Sequence, residues 1–509
     1  MMDPVELQVL TGALHSICEE MGAVLIRSAH SANIKERRDA STALFTPDGE
    51  MVMQAEHIPV HLGAMPAAVA SVVDQEHAPE RSWILNDPYR GGTHLPDITV
   101  ITPIFTSFEH AGRSHRSHLI AFAANRAHHA DVGGPTPGSM PADSRTLDDE
   151  GVVIEPRVLD DDAISELSDQ MRRPDQRRAD LRAQLAAGRV GAQRLAQLEQ
   201  RVGAASLQQA FGEVLDYAER RTRACLRQLT DGEYTAEDVL EAREGDLRIA
   251  LRATVKRDQL TLDFSGTADQ HEGNLNCPLA VTRSACYFAI RVLTDPDIPA
   301  NAGAYRPVQV IAPEGSLLNA RSTSDSVGGA PAVAGGNVET SSRVADVVLA
   351  AFGHALGQGT MNNLTLGNDD VVYYETIGGG QGACEDADGP SGVHVAMSNT
   401  LNTPIEALEL EFPLRMVEYS LRRDSGGAGA HRGGDGVVRE LEALAPLHYS
   451  LITERRRHAP PGADGGEPGQ PGRNLLDGEE LAPKCSGELE PGQRLRIETP
   501  GGGGRGKSP

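Results

Sequence analysis

The sequence is poor in aromatic and in basic residues. Only 4% of its 509 residues are Phe, Trp or Tyr, with a single Trp83, so its hydrophobic cores must be built from aliphatic side chains. Lys and Arg number 47 against 72 Asp and Glu, which gives a formal net charge of −25. This charge argues against a protein that coats nucleic acid or an anionic membrane surface.

Cysteines and long apolar runs are also scarce. No uninterrupted apolar run approaches the ~18 residues needed to span a bilayer. The first ten residues lack a basic segment followed by an apolar stretch, so no signal peptide is predicted. Scattered thiols without paired spacing favour a cytoplasmic protein over a disulfide framework. The six cysteines are Cys18, Cys225, Cys277, Cys286, Cys384 and Cys485.

The spacing of apolar residues predicts an α+β protein with several domains. We expect an N-terminal α+β domain carrying a metal site (1–158), a helical subdomain inserted in the middle (159–230), a central α/β domain (231–400), a β-rich C-terminal sandwich or barrel (401–500) and a flexible tail (501–509). Period-three and period-four spacing predicts a helix from Val5 to His30, and a Pro-Asp-Gly turn predicts a hairpin after it. Short strands are predicted in the last hundred residues, one of them at Leu408–Phe412.

The histidines are concentrated in one part of the chain. Nine of the 17 fall within residues 57–129, where a uniform spread would place about two or three. This excess predicts a functional site on the N-terminal domain.

Three short motifs in this region carry groups that bind metals. The first, His57-Ile-Pro-Val-His61, is interrupted by Pro59, which favours core or supporting roles for its histidines over a ligand pair. The second ends in His94-Leu-Pro-Asp97 after a Gly-Gly turn. The third, His128-His129-Ala-Asp131, follows an apolar strand. His94, Asp97 and one of the two adjacent histidines would give two imidazoles and one carboxylate for a divalent cation.

Other motifs carry less weight. Residues 501–508 match the phosphate-loop pattern G-x-x-x-x-G-K-S, but the sequence stops at Pro509 and no helix follows, so we expect a flexible tail there. Cys277 has no histidine at an informative spacing and is expected to be a core residue. Glu339 and Glu375 flank glycine clusters, where either is a candidate general base, although exposure at the surface is favoured for both.

Long segments, in order along nearly the whole chain, resemble the hydantoinase B/5-oxoprolinase family. They include Ile34-Lys-Glu-Arg-Arg-Asp39, the second and third metal-binding motifs, Pro137-Gly-Ser-Met-Pro141, Gly336-Asn-Val-Glu-Thr-Ser and Arg432-Gly-Gly-Asp-Gly436. The resemblance implies a B-type subunit of an ATP-dependent hydantoinase or oxoprolinase, similar also to a subunit of acetone and acetophenone carboxylases. It implies a separate A-type subunit that binds and uses the ATP, in a hetero-oligomer with two or more copies.

The resemblance also implies a site. The His-x-x-Asp ligand pair of the carboxylases maps onto His94 and Asp97, and their third ligand maps onto His128. The metal would be zinc, manganese or iron, with His57, His61 and His129 as secondary candidates. Asp39, Asp87 and Asp131 are candidates to orient ligands or water during catalysis.

The implied mechanism has two stages. The partner phosphorylates the substrate oxygen, and the metal site then stabilises the oxyanion and supplies acidified water, so that a cyclic amide ring opens. Two alternatives stay open at this point: the metal-bearing subunit of a ketone carboxylase, and a scaffold subunit with no catalytic role.

Overall fold

The computed structural model describes residues 2–55, 58–106, 118–322 and 329–508, together with the backbone of 109–110 and 113–114. These residues form four larger sheets, a two-stranded hairpin and helices packed between and upon them. The α+β, multi-domain fold class predicted from the sequence is confirmed.

A six-stranded antiparallel sheet organises the N-terminal part of the chain. Its elements are α1 (Pro4–Ser28), α2 (Ala32–Lys35), β1 (Ala40–Phe45), β2 (Met51–Ala55), α3 (Ala64–Ala70), β3 (Ser82–Leu85), β4 (Asp97–Phe105), β5 (Glu109–His110), β6 (Arg113–Ser114), β7 (Leu119–His128) and β8 (Arg157–Leu159). The strand order is β2-β1-β7-β4-β3-β8, and β5 pairs only with β6. The two central strands, β7 and β4, carry the histidine-rich motifs.

Helix α1 forms the core of one face of this sheet. The Asp3 carboxylate accepts hydrogen bonds from the amides of Val5 and Glu6 and caps the helix. By length and composition α1 could cross a membrane, with a mean hydropathy of 1.4 over 18 residues, although polar residues interrupt its apolar runs. Leu14 and Met21 are fully buried against β1, β2 and the helical segment that follows the sheet. This packing buries one face of α1 against the sheet.

The helical segment consists of α4 (Asp161–Ser168), α5 (Pro174–Val202) and α6 (Ala204–Leu226), as predicted. Helix α5 runs unbroken through Gly188 and Gly191. A β-carbon on Gly188 would lie 2.3 Å from Thr102 Oγ1, and one on Gly191 would lie 2.4 Å from Met21 Sδ. These glycines therefore let α5 lie directly on β4, β7 and α1.

The central part pairs a second sheet with two packed helices. Its elements are β9 (Gly232–Glu241), β10 (Asp246–Lys256), β11 (Gln259–Asp263), α7 (Leu279–Leu293), α8 (Ala302–Tyr305), β12 (Val308–Ile311) and α9 (Ser341–Ala351). The order is β12-β11-β10-β9, with only the β11–β12 pair parallel. A π-helical turn, Gly336–Thr340, leads into α9. Strands β10 and β11 form a hairpin in this sheet.

Two antiparallel sheets form a C-terminal sandwich. Its elements are β13 (Asn363–Gly367), β14 (Val372–Glu375), α10 (Ile405–Glu411), β15 (Leu414–Arg422), β16 (Gly436–Ala443), β17 (Leu447–Ile452), β18 (Arg473–Leu476), β19 (Glu479–Glu480), β20 (Lys484–Leu489) and β21 (Arg494–Glu498). One sheet has the order β14-β13-β17-β20 and the other β15-β16-β21-β18-β19. The sandwich thus takes β13 and β14 from before the predicted boundary at residue 400.

The strand predicted at Leu408–Phe412 is wrong. The segment forms helix α10, in which only Leu408 is buried. Its alternating Leu and Glu residues imitate a strand, but Leu, Glu and Ala are strong helix formers, and Pro404 precedes the first turn.

Closely packed glycine backbones fill one end of the sandwich, and most of them are buried. We call this group the glycine mesh: Gly380, Gly389, Gly426, Gly433, Gly434, Gly469 and Gly501–Gly504. A β-carbon on Gly433 would lie 2.0 Å from the carbonyl oxygen of Gly502. The amides of Gly502 and Gly504 donate to the carbonyls of Gly434 and Glu467. Residues 501–504 are buried, in contrast to the flexible tail expected there, and their amides are engaged rather than arranged around a phosphate.

Candidate metal centre

Strand pairing brings two of the predicted ligands together. Strand β4 begins at Asp97, strand β7 ends at His128, and the antiparallel register places these two residues opposite each other. Directly opposed residues project from the same face of a sheet. The third residue, His94, reaches the same point from the turn before β4, where the amide of Asp97 donates to the His94 carbonyl (3.1 Å).

A rigid loop holds that turn. The Asn86 side chain donates to the carbonyl of Leu95 (2.8 Å) and accepts from the amide of Ile154 (2.6 Å). Gly91 has a φ of +102°, a conformation that favours glycine. A β-carbon on Gly92 would lie 2.1 Å from the carbonyl oxygen of Asn86. The two glycines therefore allow the tight turn from which His94 projects.

The three side chains meet in the protein interior. His94 Nε2 lies 3.2 Å and His128 Nδ1 lies 3.3 Å from Asp97 Oδ1, and each side chain is at most 3% exposed. Among the described residues they form one group whose potential ligand atoms all lie within 4.8 Å of one another. Donors that bind one divalent cation at about 2.0–2.2 Å stand roughly 3–3.5 Å apart, so these separations fit a shared ion.

The ring nitrogens of the cluster lack other partners among the described residues. Both nitrogens of His94 and Nε2 of His128 are buried without a hydrogen bond, as is Nε2 of the neighbouring His61. Buried polar atoms in native proteins are almost always satisfied, so several unpaired nitrogens around one carboxylate indicate a ligand-binding role. The donor set and its unpaired nitrogens therefore fit a divalent cation.

The electrostatics of the cluster favour an ionised Asp97 carboxylate and a neutral His128 imidazole. Burial acts to raise the pKa of Asp97, but the adjacent His94, His128 and His61 outweigh it and hold this pKa well below its ordinary range. Burial lowers the pKa of His128, against the opposing effects of Asp97 and Asp39. Anionic carboxylate and neutral imidazole are the forms that bind metals.

The secondary candidates separate into three cases. His61 borders the cluster: its Nδ1 lies 2.9 Å from Ser41 Oγ and its Nε2 lies 3.5 Å from Asp97 Oδ2. His129 points toward α5 instead, where its Nε2 lies 2.9 Å from Gln184 Oε1, and burial lowers its pKa to about 4. His57 lies outside the described residues. Of the two adjacent histidines, the structure brings His128 to Asp97.

The three predicted catalytic carboxylates also differ. Asp39 lies beside the cluster: its carbonyl accepts from the His128 amide (3.0 Å), and its buried carboxylate acts to raise the pKa of His128. Asp87 caps a short turn by accepting from the amide of Tyr89 (2.9 Å). Asp131 accepts from the amides of its own loop, at 133 and 138, and pairs with Arg172. Asp87 and Asp131 make their described contacts with residues outside the cluster. Their catalytic roles stay predictions.

The sequence did not reveal the residues that support the cluster from elsewhere in the chain. The Tyr374 ring stacks on the His128 ring with centroids 4.3 Å apart. The Arg37 guanidinium lies over the Tyr374 ring, 5.0 Å from its centroid. The Thr93 hydroxyl donates to Asp97 Oδ2 (2.6 Å). Tyr374 is more than two hundred residues from His128, so no spacing rule could have found it, whereas Thr93 sits within the predicted motif.

Two carboxylates expected at the surface are fully buried. Glu375 accepts from the amide of Thr403 (3.0 Å) and pairs with Arg439, so its charge is balanced. Glu339, in the π-helical turn, accepts from the Thr360 hydroxyl and the Met361 amide through Oε1, while Oε2 has no partner among the described residues.

Cys277 lies in the core, as predicted. Its side chain is fully buried, and burial raises its pKa to about 12. A thiol with so high a pKa forms little nucleophilic thiolate near neutral pH.

We predict that Glu339→Gln reduces the loss of stability at alkaline pH. Burial, followed by the charge of Glu454, raises the pKa of Glu339 from 4.5 to about 8. Between these values the folded chain holds a proton that the unfolded chain has released, so stability falls as pH rises. Relative to wild type, the variant should gain about 2 kcal/mol or more in unfolding free energy from pH 5 to pH 8.5.

Chemical denaturation at the two pH values measures this gain. The exposed Glu314→Gln serves as the control and should show none. An equal response of wild type and Glu339→Gln to pH would contradict the proposed protonation of Glu339.

Comparison with known proteins gives a consistent result. The family model for hydantoinase B/oxoprolinase matches residues 3–508. The chain is 39% identical to 5-oxoprolinase 1 of Arabidopsis thaliana over 99% of its own length, but it spans only 42% of that relative. A Pseudomonas protein named as the B-type subunit of a D-/L-hydantoinase is 30% identical, over 99% of the chain and 90% of the relative.

Solved structures support the same relationship. The ATP-dependent caprolactamase of Pseudomonas jessenii matches with a TM-score of 0.90 and 28% identity, over all of this chain and 92% of that chain. An acetone carboxylase matches with a TM-score of 0.83 over 99% of this chain and 76% of that one. At 18% identity the second match shows a shared fold alone.

Proposed function

The chain belongs to the hydantoinase B/oxoprolinase family, and we propose that it is the B-type subunit of an ATP-dependent cyclic-amide hydrolase. The names of its relatives include an oxoprolinase, a hydantoinase and a caprolactamase, whose substrates share an amide within a ring. The proposed reaction adds the oxygen of water to the ring carbonyl, breaks the C–N bond and leaves the proton on the nitrogen, with ATP hydrolysed to ADP and phosphate.

One observation carries this proposal: His94, Asp97 and His128 converge in the interior with unpaired ring nitrogens. A divalent cation bound there, zinc, manganese or iron, supplies Lewis-acid stabilisation for the oxyanion that develops as the ring opens. A buried ionised carboxylate is costly without a positive partner, which gives Asp97 a strong preference for such an ion.

The surrounding residues fix the ligands and limit access by water. Thr93 holds Asp97 Oδ2, so Oδ1 faces both histidines. Tyr374 covers one face of the His128 ring. The Asp39 carboxylate, buried beside His128, is the group best placed to hold a proton or orient a water molecule.

ATP is proposed to bind to a partner, not to this chain. The glycine amides of 502–504 donate to main-chain carbonyls, so the apparent phosphate loop offers them to no nucleotide. The 5-oxoprolinase relative is more than twice as long as the matched region, and the hydantoinase relative is named as one subunit of its enzyme. We therefore propose an A-type ATPase partner in a cytoplasmic hetero-oligomer with two or more copies.

The test is a reconstitution with an A-type ATPase subunit from the same genome. We expect 5-oxoproline, hydantoin or caprolactam to be opened only with ATP and both subunits present, and without any need for bicarbonate. Treatment with a chelator should abolish turnover, and the restored metal should recover it.

The outcomes separate the alternatives. A requirement for bicarbonate and a ketone would indicate the carboxylase instead. Full activity of a metal-free complex would favour a scaffold without a catalytic role.

A further inference from the structure

Exposed apolar side chains concentrate on one edge of the C-terminal sandwich. Seven of the twelve large apolar residues exposed in the described part of the chain lie between Leu401 and Leu444. Five of these seven form what we call the β15 patch: Leu401, Ile405, Val417, Tyr419 and Leu421. Exposed apolar side chains grouped in one part of the fold, unlike ones scattered singly, are typical of an interaction site.

The patch lies on the inner face of its sheet, which in a β-sandwich is normally covered by the opposite sheet. Tyr419 and Leu421 of β15 pair with Arg439 and Val437 of β16, so they share the inner face of the sheet with these two buried residues. The outward positions 418 and 420 are Glu and Ser, which are polar. Strand β15 therefore has the alternation of a strand with a buried inner face, although that face is exposed.

The second sheet ends before it reaches β15. Its edge strand is β14, whose Tyr373 accepts from Arg439 of β16 (2.9 Å) and whose Glu375 pairs with the same guanidinium. The side chain of Tyr419 lies beyond that contact, with the Arg439 guanidinium 5.1 Å from its ring. Helix α10 and the loop before it cover only part of the inner-facing side chains of β15. The Asn402 side chain in this loop donates a hydrogen bond to the Tyr419 hydroxyl.

A short chain of contacts joins the patch to the metal centre. The amide of Leu401 donates to the Arg37 carbonyl (3.1 Å), and the Arg37 guanidinium donates to the Thr400 hydroxyl (3.0 Å) and the Tyr374 carbonyl (2.7 Å). Tyr374 in turn stacks on His128. A protein bound at the patch would therefore lie one side-chain layer from residues that support the candidate ligands.

We propose that the β15 patch is the docking surface for the ATPase subunit, which would present apolar and aromatic side chains to complete the sandwich. This inference rests on the proposed function. It is favoured over a second copy of this chain for two reasons: the longer relatives carry additional polypeptide that must pack somewhere, and an activated intermediate made by the partner must reach the metal centre nearby.

Two substitutions test the patch: Leu421→Glu and Leu401→Glu. Both side chains are about half exposed, at 49% and 51%, so the isolated chain should fold and keep its metal. Val292→Glu on α7 is the matched control, since Val292 is 45% exposed and far along the chain from the patch. Size-exclusion chromatography with light scattering and titration calorimetry would measure binding to the purified ATPase subunit, alongside metal content and melting temperature.

We expect each patch variant to bind the ATPase subunit at least about tenfold more weakly, while Val292→Glu binds like wild type. Unchanged binding by both patch variants would overturn the proposal. So would loss of a homodimer of this chain while the ATPase subunit still binds, because the patch would then belong to a second copy. If the wild-type chain binds no ATPase subunit, both the proposed docking surface and the proposed partner are refuted. The metal content of the chain would still test the candidate metal centre separately.

Discussion

Replacing Asp97 with asparagine is expected to give a folded chain that retains no stoichiometric divalent metal and opens its ring substrate at least about 10³-fold more slowly. Asp97 is the carboxylate that His94, His128 and His61 surround, and its negative charge is the one charge within the ligand group. An asparagine of equal size preserves the packing and the Thr93 contact but offers a neutral oxygen in its place.

Metal analysis by mass spectrometry and the ATP-dependent assay of the reconstituted complex would measure these effects. Asp87→Asn is the matched control, because Asp87 caps a turn and Asn serves equally well there. We expect this control to retain its metal. Stoichiometric metal in Asp97→Asn would show that the cluster is not the metal-binding site. Loss of metal in both variants would show that metal binding depends on the whole segment from Asp87 to Asp97.

Substituting alanine for Gly433 is expected to destabilise the sandwich strongly, although it adds only one methyl group. The new β-carbon would lie 2.0 Å from the carbonyl oxygen of Gly502, and that atom is backbone, held by a hydrogen bond from the Gly427 amide. No rotamer change can relieve such a clash. We expect a loss of more than about 3 kcal/mol in unfolding free energy, or failure to accumulate as soluble protein.

Gly212→Ala provides the contrasting control. Gly212 lies within α6, and nothing among the described residues stands within 4 Å of its added β-carbon. Because alanine is the better helix former, this change should stabilise the chain by about 0.5–1 kcal/mol. Denaturant titration of the three proteins measures both effects. Wild-type stability in Gly433→Ala would mean that the mesh backbone can move apart by more than an ångström.

The parts of the fold set by local pattern were predictable. The spacing in α1 and the Pro-Asp-Gly turn between β1 and β2 identified those elements, because each signal lies within one segment. Part of the candidate metal centre was also accessible from the sequence, since His94 and Asp97 are close in sequence and His128 ends an apolar strand. The pairing of Asp97 with His128 depends on the register between β4 and β7, which no single strand encodes.

Contacts between distant segments escaped prediction. Tyr374 packs on His128 because the C-terminal sandwich meets the N-terminal sheet, and neither sequence segment indicates the other. Glu339 was expected at the surface because carboxylates are rarely buried, but hydrogen bonds from the hydroxyl of residue 360 and the amide of residue 361 hold it inside. The close approach of Gly433 and Gly502 in the interior likewise joins segments that are far apart in the sequence.

The glycine mesh also sets an order of assembly during synthesis. Gly380, Gly433 and Gly502 are neighbours in space, but more than a hundred residues separate the first from the last. Contacts of such long range form slowly, and a nascent chain cannot form them until its last partner has left the ribosome. Until residues 501–504 are available, the Gly434 carbonyl lacks the Gly502 amide that donates to it in the folded chain. Closure of this end of the sandwich therefore waits until the last of its segments has been synthesised.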